Sequence, residues 1–140
     1  MVLVISLGRN AKLCVATSGT ATTTVLGAQN VSIDGGWETK KIMHLQDTAR
    51  TTIMLLKNWT LTGTLTEDFA DPGQDIIRTA YDNGSDIAFM LYPGTATATT
   101  TTFMCTTGKV TKYAPGFDPM NENNASFTIE ENGVAMTMPA

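Results

Sequence analysis

The sequence predicts a mainly β domain that carries one short α-helix. Twenty-five of the 140 residues are Thr, a β-branched residue that favours strands and disfavours helices. Through residues 58–66, apolar and hydroxyl-bearing side chains alternate with the period of two that is typical of a strand. Only the segment after Asp71-Pro72-Gly73-Gln74 combines a helix-start signal with a stop signal. A chain of this length is expected to form a single domain over residues 1–140.

Charge and hydropathy argue against two broad classes of partner. The formal net charge is −4 and the pI is about 4.7. Binding to nucleic acid requires clustered Lys and Arg, and Lys40-Lys41 are the only adjacent basic residues. The apolar run at residues 1–7 has no positive n-region, and no segment approaches the ~20 apolar residues that span a bilayer. We therefore expect no general affinity for nucleic acid and no membrane anchor, and we interpret residues 1–7 as a buried strand.

The first third of the chain predicts short strands separated by polar turns. Residues 12–16 are apolar apart from Lys12 and are interpreted as a strand. Residues 17–24 are rich in Ser, Thr and Gly and predict an exposed loop. A second strand is expected over residues 25–33, and Asp34-Gly35-Gly36 is expected to end it.

Two long strands are expected next, joined by a charged connection. Residues 37–52 hold several charged side chains, contain neither Gly nor Pro, and show no helical stripe. We interpret this segment as two strand arms with a charged tip. A long strand over residues 49–66, with a bend near Lys57-Asn58, follows from the β-branched and alternating sequence.

The alternation within this long strand separates an apolar face from a polar face. Trp59, Leu61 and Leu65 fall on the apolar face. The polar face carries the hydroxyl groups of Thr60, Thr62, Thr64 and Thr66.

The helix prediction depends on its two ends. Asp71 can accept hydrogen bonds from free backbone N–H groups, Pro72 suits the first helical position, and Gln74 falls at the capping-box position. Asn83-Gly84 is the stop, since Gly adopts the left-handed conformation easily. The helix should pack an apolar stripe over the strand. We expect the core to contain Trp59, Leu61, Leu65, Ile76, Ile77, Tyr81, Phe127 and Ile129.

The remainder of the chain predicts further strands. We expect a strand over residues 86–92 that ends at Pro93-Gly94, and a loop or a strand over the Thr-rich residues 95–102. Residues 103–113 predict a strand pair or one strand with a bulge near Gly108, and residues 114–124 predict a loop. Asn132-Gly133 is typical of a type I′ turn and predicts a C-terminal hairpin in which Ile129 faces Met136 and Phe127 faces Met138.

No pattern of residues points to catalysis, a metal or a cofactor. His44 is the single histidine, and no GxSxG motif accompanies it. Cys14 and Cys105 are far apart in sequence without a CxxC motif, so we expect free thiols and no zinc site. The adjacent carboxylates of Glu67-Asp68 would point to opposite faces of a strand, and neither phosphate-binding glycine motif occurs. We therefore expect no enzymatic activity and no cofactor.

The order of elements resembles the major tail tube proteins of long-tailed, siphovirus-like bacteriophages. The residues that carry this resemblance are Asn58-Trp59-Thr60-Leu61-Thr62-Gly63-Thr64, the helix over residues 74–84, Phe89-Met90-Leu91-Tyr92-Pro93-Gly94 and Ala125-Ser126-Phe127-Thr128-Ile129. The resemblance covers most of residues 30–138.

This resemblance implies a β-sandwich or partial-barrel protomer with the short helix packed on the outside. Six protomers would form a ring whose inner strands close a barrel, and stacked rings would form the tube through which DNA leaves the virion. The implied partners are further copies, the tape-measure protein, the tail tip and tail terminator proteins, and DNA in transit without specific binding. The implied location is the virion tail, assembled in the host cytoplasm.

Within that picture, the charged segment suits a projecting hairpin that contacts the next ring. Its candidate contact residues are Glu38, Lys40, Lys41, His44, Asp47 and Arg50. The face with Thr60, Thr62, Thr64 and Thr66 would turn towards the lumen or a neighbouring subunit. Alternatives are another virion component, such as a head–tail connector or decoration protein, or a soluble β-barrel that binds a ligand or carbohydrate.

Overall fold

A computed structural model describes residues 11–92, 103–134 and 136–138. The predictions for residues 1–7 and 95–102, and for the turn at Pro93-Gly94, lie outside the described residues. The secondary-structure elements are β1 Lys12–Ala16, β2 Thr23–Thr24, β3 Ala28–Ile42, β4 Thr51–Thr66, α1 Pro72–Asn83, β5 Asp86–Tyr92, β6 Phe103–Gly116 and β7 Asn124–Glu131.

The seven strands form one antiparallel sheet. Their order is β2-β1-β5-β6-β7-β4-β3, so β3 and the two-residue β2 lie at its edges. A register shift interrupts the pairing of β5 with β6 close to Gly108, where the bulge was predicted. The mainly β fold with a single helix is thus confirmed for the described residues.

The sheet curls strongly, so that one of its faces closes around the core. In the strand order, β4 and β5 are separated by two other strands, which is about 14 Å in a flat sheet. The rings of Trp59 on β4 and Phe89 on β5 nevertheless meet edge to face, with centroids 5.2 Å apart. Only a sheet that bends towards a barrel brings these side chains together, which agrees with the partial barrel expected from the sequence.

The concave face of the sheet and the helix share one core. Among the residues expected there, the following are buried: Trp59, Leu61, Leu65, Ile77, Phe127 and Ile129. Ile76 is half-buried against them. The prediction for Tyr81 is wrong, because its side chain is 48% exposed. The buried stripe of the helix runs through Gln74, Ile77 and Ala80, which leaves Tyr81 at the margin, where its ring tilts against Tyr113.

The helix is capped at both ends where the sequence indicated. Asp71 Oδ2 accepts from the backbone N–H of Gln74 at 3.1 Å, and Pro72 occupies the first turn. At the other end Gly84 has a φ of 66°. The Gln74 side chain, however, does not complete a capping box. Its Nε2 donates to the carbonyls of Leu26 (2.7 Å) and Thr66 (2.9 Å), and its Oε1 accepts from the N–H of Asp68.

Two predicted strand ends are wrong because the local sequence also suits extended backbone. Strand β3 continues through Asp34-Gly35-Gly36 to Ile42, and these glycines pair with Trp59 and Asn58 on β4. Strand β6 likewise continues to Gly116 and includes Pro115. The loop before β7 therefore covers only residues 117–123.

The predicted C-terminal hairpin does not form over the described residues. A type I′ turn needs positive φ at both central residues, and φ is positive at Gly133 but not at Asn132. Asn132 donates instead to Asp86 Oδ1 at 2.7 Å, and the carbonyl of Val134 accepts from Trp59 Nε1 at 3.1 Å. The segment after β7 is thus held by the sheet's other strands, with Met136 half-buried against the core and Met138 exposed.

Candidate assembly surfaces

The long β3–β4 pair projects beyond the rest of the sheet. Strand β7 pairs with β4 only between Thr60 and Thr66, whereas β3 pairs with β4 as far as Ile42 and Thr51. Residues 37–57 therefore form a two-stranded ribbon, which we call the arm, and residues 43–50 form its tip. The interpretation of this segment as two strand arms with a tip agrees with the structure. Within the arm, the register shifts between Trp37 and Thr39.

Apolar side chains cover much of the arm without being buried. Ile53-Met54-Leu55-Leu56 are four successive apolar residues, all exposed. Consecutive residues of a strand point to opposite faces, so both faces of the ribbon present apolar surface. Trp37 and Met43 are also exposed, and Leu45 at the tip is 97% exposed. A two-stranded ribbon is only marginally stable alone, and exposed apolar surface of this kind marks an interaction site.

The six charged or histidine residues predicted for subunit contacts all lie in the arm. Glu38, Lys40 and Lys41 lie on β3, and Lys40 and Lys41 pair with Ile53 and Thr52. His44, Asp47 and Arg50 lie in the tip and are exposed or partly exposed. Asp47 Oδ2 accepts from the backbone N–H of His44, and Asp47 N–H donates back to the His44 carbonyl. These two bonds close the tip through the backbone of His44, and the exposed His44 imidazole Nδ1 lies 3.4 Å from Asp47 Oδ2.

The four threonines of β4 lie together on the convex side of the sheet, which we call the polar face. The register places Thr62 between Ser32 on β3 and Thr128 on β7, and the Ser32 and Thr62 hydroxyls are 3.0 Å apart. Thr66 Oγ1 accepts from Gln29 Nε2 at 2.9 Å. All four threonines are exposed or partly exposed. The polar face therefore offers hydroxyl groups on a rigid sheet.

The end of the protomer opposite the arm is acidic. Sequence reasoning missed this surface because its residues come from separate segments. Residues 67–78 contain Glu67, Asp68, Asp71, Asp75 and the single base Arg78, and residues 117–123 contain Asp118 and Glu122. The N–H of Glu67 donates to the carbonyl of Asn123 at 2.9 Å, which joins the two segments. We call these segments the acidic end.

Large apolar side chains are exposed at the acidic end as well. They are Phe69, Phe117 and Met120, together with Leu26 of the neighbouring loop, whose N–H donates to Asp71 Oδ2 at 3.0 Å. The Gln74 side chain holds the backbone of Leu26 and Asp68 together, and the Arg78 guanidinium lies 4.8 Å from the centre of the Phe69 ring. Asp118 accepts from the N–H of Met120, so acidic side chains hold the backbone of both Met120 and Leu26.

An open apolar groove of about 480 Å³ lies where the arm leaves the sheet. Its lining includes Trp37, Trp59, Leu91, Phe103, Met136 and Met138. Its polar contributors are Lys57 and Asn58, and the Lys57 ammonium lies 5.3 Å from the centre of the Trp37 ring. This groove offers apolar contact area and little that could orient a polar ligand.

The described part of the chain contains neither a metal-binding cluster nor a membrane-spanning helix. Residues 11–92, 103–134 and 136–138 contain no group of three or more His, Cys, Asp or Glu side chains that could hold a metal ion. Cys14 and Cys105 are both buried. No helix of the described residues is long and apolar enough to cross a membrane.

Comparisons with known proteins find similarity in structure alone. No protein-family model matches the sequence, and no curated protein matches it either. A chain in the tail of an empty gene transfer agent particle, refined with C6 symmetry, superposes with a TM-score of 0.77 at 15% identity, over 97% of this chain and 100% of the other. The SPP1 tail tube gives a TM-score of 0.73 at 15% identity, over 90% of this chain and 75% of the other.

This chain has the tail tube fold. The same fold extends to contractile systems. A chain in the sheath/tube terminator of an extracellular contractile injection system superposes with a TM-score of 0.66 at 13% identity, over 98% of this chain and 99% of the other. The likeness spans nearly the whole chain, so the tail tube fold includes the arm as well as the sheet and helix. The fold implied by the sequence resemblance is confirmed.

Proposed function

We propose that this protein is a structural subunit of a virion tail tube. Six copies form a ring, and stacked rings form the conduit for DNA. The observation that carries this proposal is the arm, whose exposed apolar residues on both faces require cover from other subunits. The tail tube fold over nearly the whole chain supports it, since one of the similar chains comes from a tail with C6 symmetry. A subunit of this kind belongs to the virion tail and is assembled in the host cytoplasm.

Strand β3 is the edge at which one protomer joins the next within a ring. It is a 15-residue strand at the margin of the sheet, paired on one side with β4. An unpaired edge of this length is an aggregation hazard in a free monomer. Pairing each β3 with the sheet of the next protomer removes the edge and closes the inner strands into one barrel.

The polar face lines the lumen in this arrangement. Thr60, Thr62, Thr64 and Thr66 present hydroxyl groups, and Asp34 and Glu130 flank Thr60 in register. Lys112 pairs with Thr128 and Lys109 with Glu130 on the same sheet, and these two lysines are the basic exceptions; Lys109 is paired with Asp86 at 3.0 Å. A hydroxyl surface with carboxylates repels phosphates and gives passing DNA no cationic cluster to bind. DNA therefore moves along the tube without specific binding.

The arm contacts the next ring, and the ends of the tube contact other tail proteins. The charged residues Glu38, Lys40, Lys41, His44, Asp47 and Arg50 give this contact its register, as complementary charges do at interfaces. The further partners are a tape-measure protein within the tube and the tail tip and tail terminator proteins at its ends. The subunit has a structural function and no catalytic one.

Electron microscopy of the purified protein tests the proposal. Negatively stained samples at high protein concentration should contain six-fold rings or tubes. Deleting the arm by joining residues 36 and 58 through a short Gly-Ser turn should leave the sheet folded and abolish tubes. A monodisperse monomer at every concentration would contradict the proposal. The alternative of a soluble ligand binder predicts that monomer, with a ligand in the apolar groove.

A further inference from the structure

We propose that the arm tip of one copy docks on the acidic end of the next copy, with Leu45 among the exposed apolar residues of that end. This inference rests on the proposed function and names the two surfaces that meet between rings. The first observation is their placement. The tip joins the ends of β3 and β4 at Ile42 and Thr51, whereas the acidic end lies beyond Thr66. Sixteen residues of β4 separate the two surfaces by about 50 Å.

The charges of the two surfaces are complementary. The arm contains four of the nine basic residues in the chain and two acidic residues, for a net charge of +2. The tip together with the adjoining Lys40 and Lys41 (residues 40–50) contains three basic residues and one acidic residue, which also gives +2. The acidic end contains six carboxylates and one arginine, for a net charge of −5. The protomer is thus a dipole along the direction of its strands. Copies stacked head to tail bring opposite charges together, whereas copies stacked head to head would bring like charges together.

The two surfaces also match in exposed apolar groups. At the tip, Leu45 is 97% exposed, and Met43 is exposed beside it. At the acidic end, Met120 is 86% exposed, Phe69 and Phe117 are also exposed, and so is the neighbouring Leu26. Each surface therefore has an apolar centre among charges, the arrangement of a stable protein interface. Because the surfaces differ, the contact is heterologous and continues from copy to copy into an open stack.

Cross-linking of paired cysteines tests this contact. In the double variant Leu45→Cys/Met120→Cys, the new thiols are exposed, whereas the native Cys14 and Cys105 are buried. The two thiols of one chain are too far apart for a short bis-maleimide to join. If the tip docks on the acidic end of the next copy, the cross-linker should therefore join the double variant into a ladder of covalent trimers and longer chains. The single variants can give at most dimers.

A matched pair serves as the control. Leu45→Cys/Ser85→Cys places the second thiol at an exposed position after the C-terminal end of α1. The length of this 12-residue helix, about 18 Å, separates that position from the start of the helix at the acidic end, so this pair should give at least fivefold less trimer than the test pair. Equal ladders from both pairs, or no ladder from the test pair, would overturn the docking. If the unmodified protein forms tubes in the same buffer while the ladder is absent, the tail tube function stands and the docking fails. A ladder without rings or tubes supports the contact and contradicts the ring assembly.

Discussion

The buried amide of Gln74 joins three separate segments at the acidic end. It donates to the carbonyls of Leu26 and Thr66 and accepts from the N–H of Asp68 and from Arg78 Nη1. Gln74→Leu keeps the size of the side chain and leaves these groups without their partner. Because unsatisfied buried groups cost about 1–3 kcal/mol each, we expect the free energy of unfolding to fall by about 2–4 kcal/mol. Urea denaturation measures this loss.

The control for this prediction is the same substitution at Gln29. Its side chain is exposed and makes one side-chain hydrogen bond, to Thr66, so Gln29→Leu should change the free energy of unfolding by less than about 0.5 kcal/mol. Equal effects of the two substitutions would show that the Gln74 hydrogen bonds contribute nothing beyond those of a surface amide.

The Asp86 carboxylate predicts a stability change in acid. The hydrogen bond from Lys109 and the one from Asn132 hold the pKa of Asp86 below its ordinary value of 3.8. A lowered pKa in the folded state means that the carboxylate stabilises the fold above the unfolded pKa. That contribution is lost as the pH falls through the folded pKa. Asp86→Asn should therefore lower Tm at neutral pH, and the difference from the unmodified protein should shrink from about pH 5 to about pH 2.

Thermal melts of both proteins across this pH range measure the effect. Asp82→Asn removes another exposed carboxylate, on the last turn of α1 and four residues before Asp86, and serves as the control. A Tm difference for Asp86→Asn that stays constant down to pH 2 would contradict the assignment.

At the scale of elements, Gly84 at the C-terminal end of α1 allows a prediction of how much stability the left-handed backbone conformation costs a residue that has a Cβ. Gly84 has a φ of 66°, and a Cβ placed there would meet nothing within 4 Å. Gly84→Val therefore causes no clash and isolates the cost of the left-handed conformation, about 1–2 kcal/mol for a residue with a Cβ. Asn tolerates this conformation better, so Gly84→Asn should lose less than half as much stability. Equal unfolding midpoints in urea for Val and Gly at this position would contradict the prediction.

The sequence predicted elements well where a local signal decides them. Asp71-Pro72 and Asn83-Gly84 specify the helix through capping and φ preferences, and the alternation through Thr60–Thr66 specifies β4. Prediction from the sequence failed where residues that are distant in the chain determine the local structure. Gly35-Gly36 resembles a stop but pairs with β4 across the sheet, and Asn132 binds Asp86, which lies 46 residues away, instead of forming a type I′ turn.

At the scale of the whole molecule, the residues of the arm could be predicted from the sequence, whereas the acidic end, on which the arm is proposed to dock, could not. A run of charged residues without Gly or Pro is visible in the sequence, and it indicated that Lys40, Lys41 and Arg50 lie in a projecting segment, whereas their contact with another subunit stays a prediction. The acidic end is assembled from residues 67–78 and 117–123, which only the pairing of β4 with β7 brings to the same end. Its charge, and hence the dipole of the protomer, follows from the fold and not from any motif.

The dipole predicts that stacking depends on the sign of the arm's charge. Glu38→Lys/Lys40→Glu/Lys41→Glu changes the net charge of the arm from +2 to neutral and reverses the sign at each of three positions. Because all three residues are exposed, the Tm of the subunit should change little. Tubes counted by electron microscopy should become at least tenfold rarer, since the neutral arm loses its net attraction to the acidic end at each ring-to-ring contact. Lys112→Glu changes the net charge of the chain by the same −2 at an exposed site outside the arm, and it should leave stacking intact. Tube yield and length equal to those of the unmodified protein would refute a contact by the arm. Raising the salt concentration should weaken stacking of the unmodified protein, because the screening length falls from about 10 Å at 0.1 M to about 3 Å at 1 M.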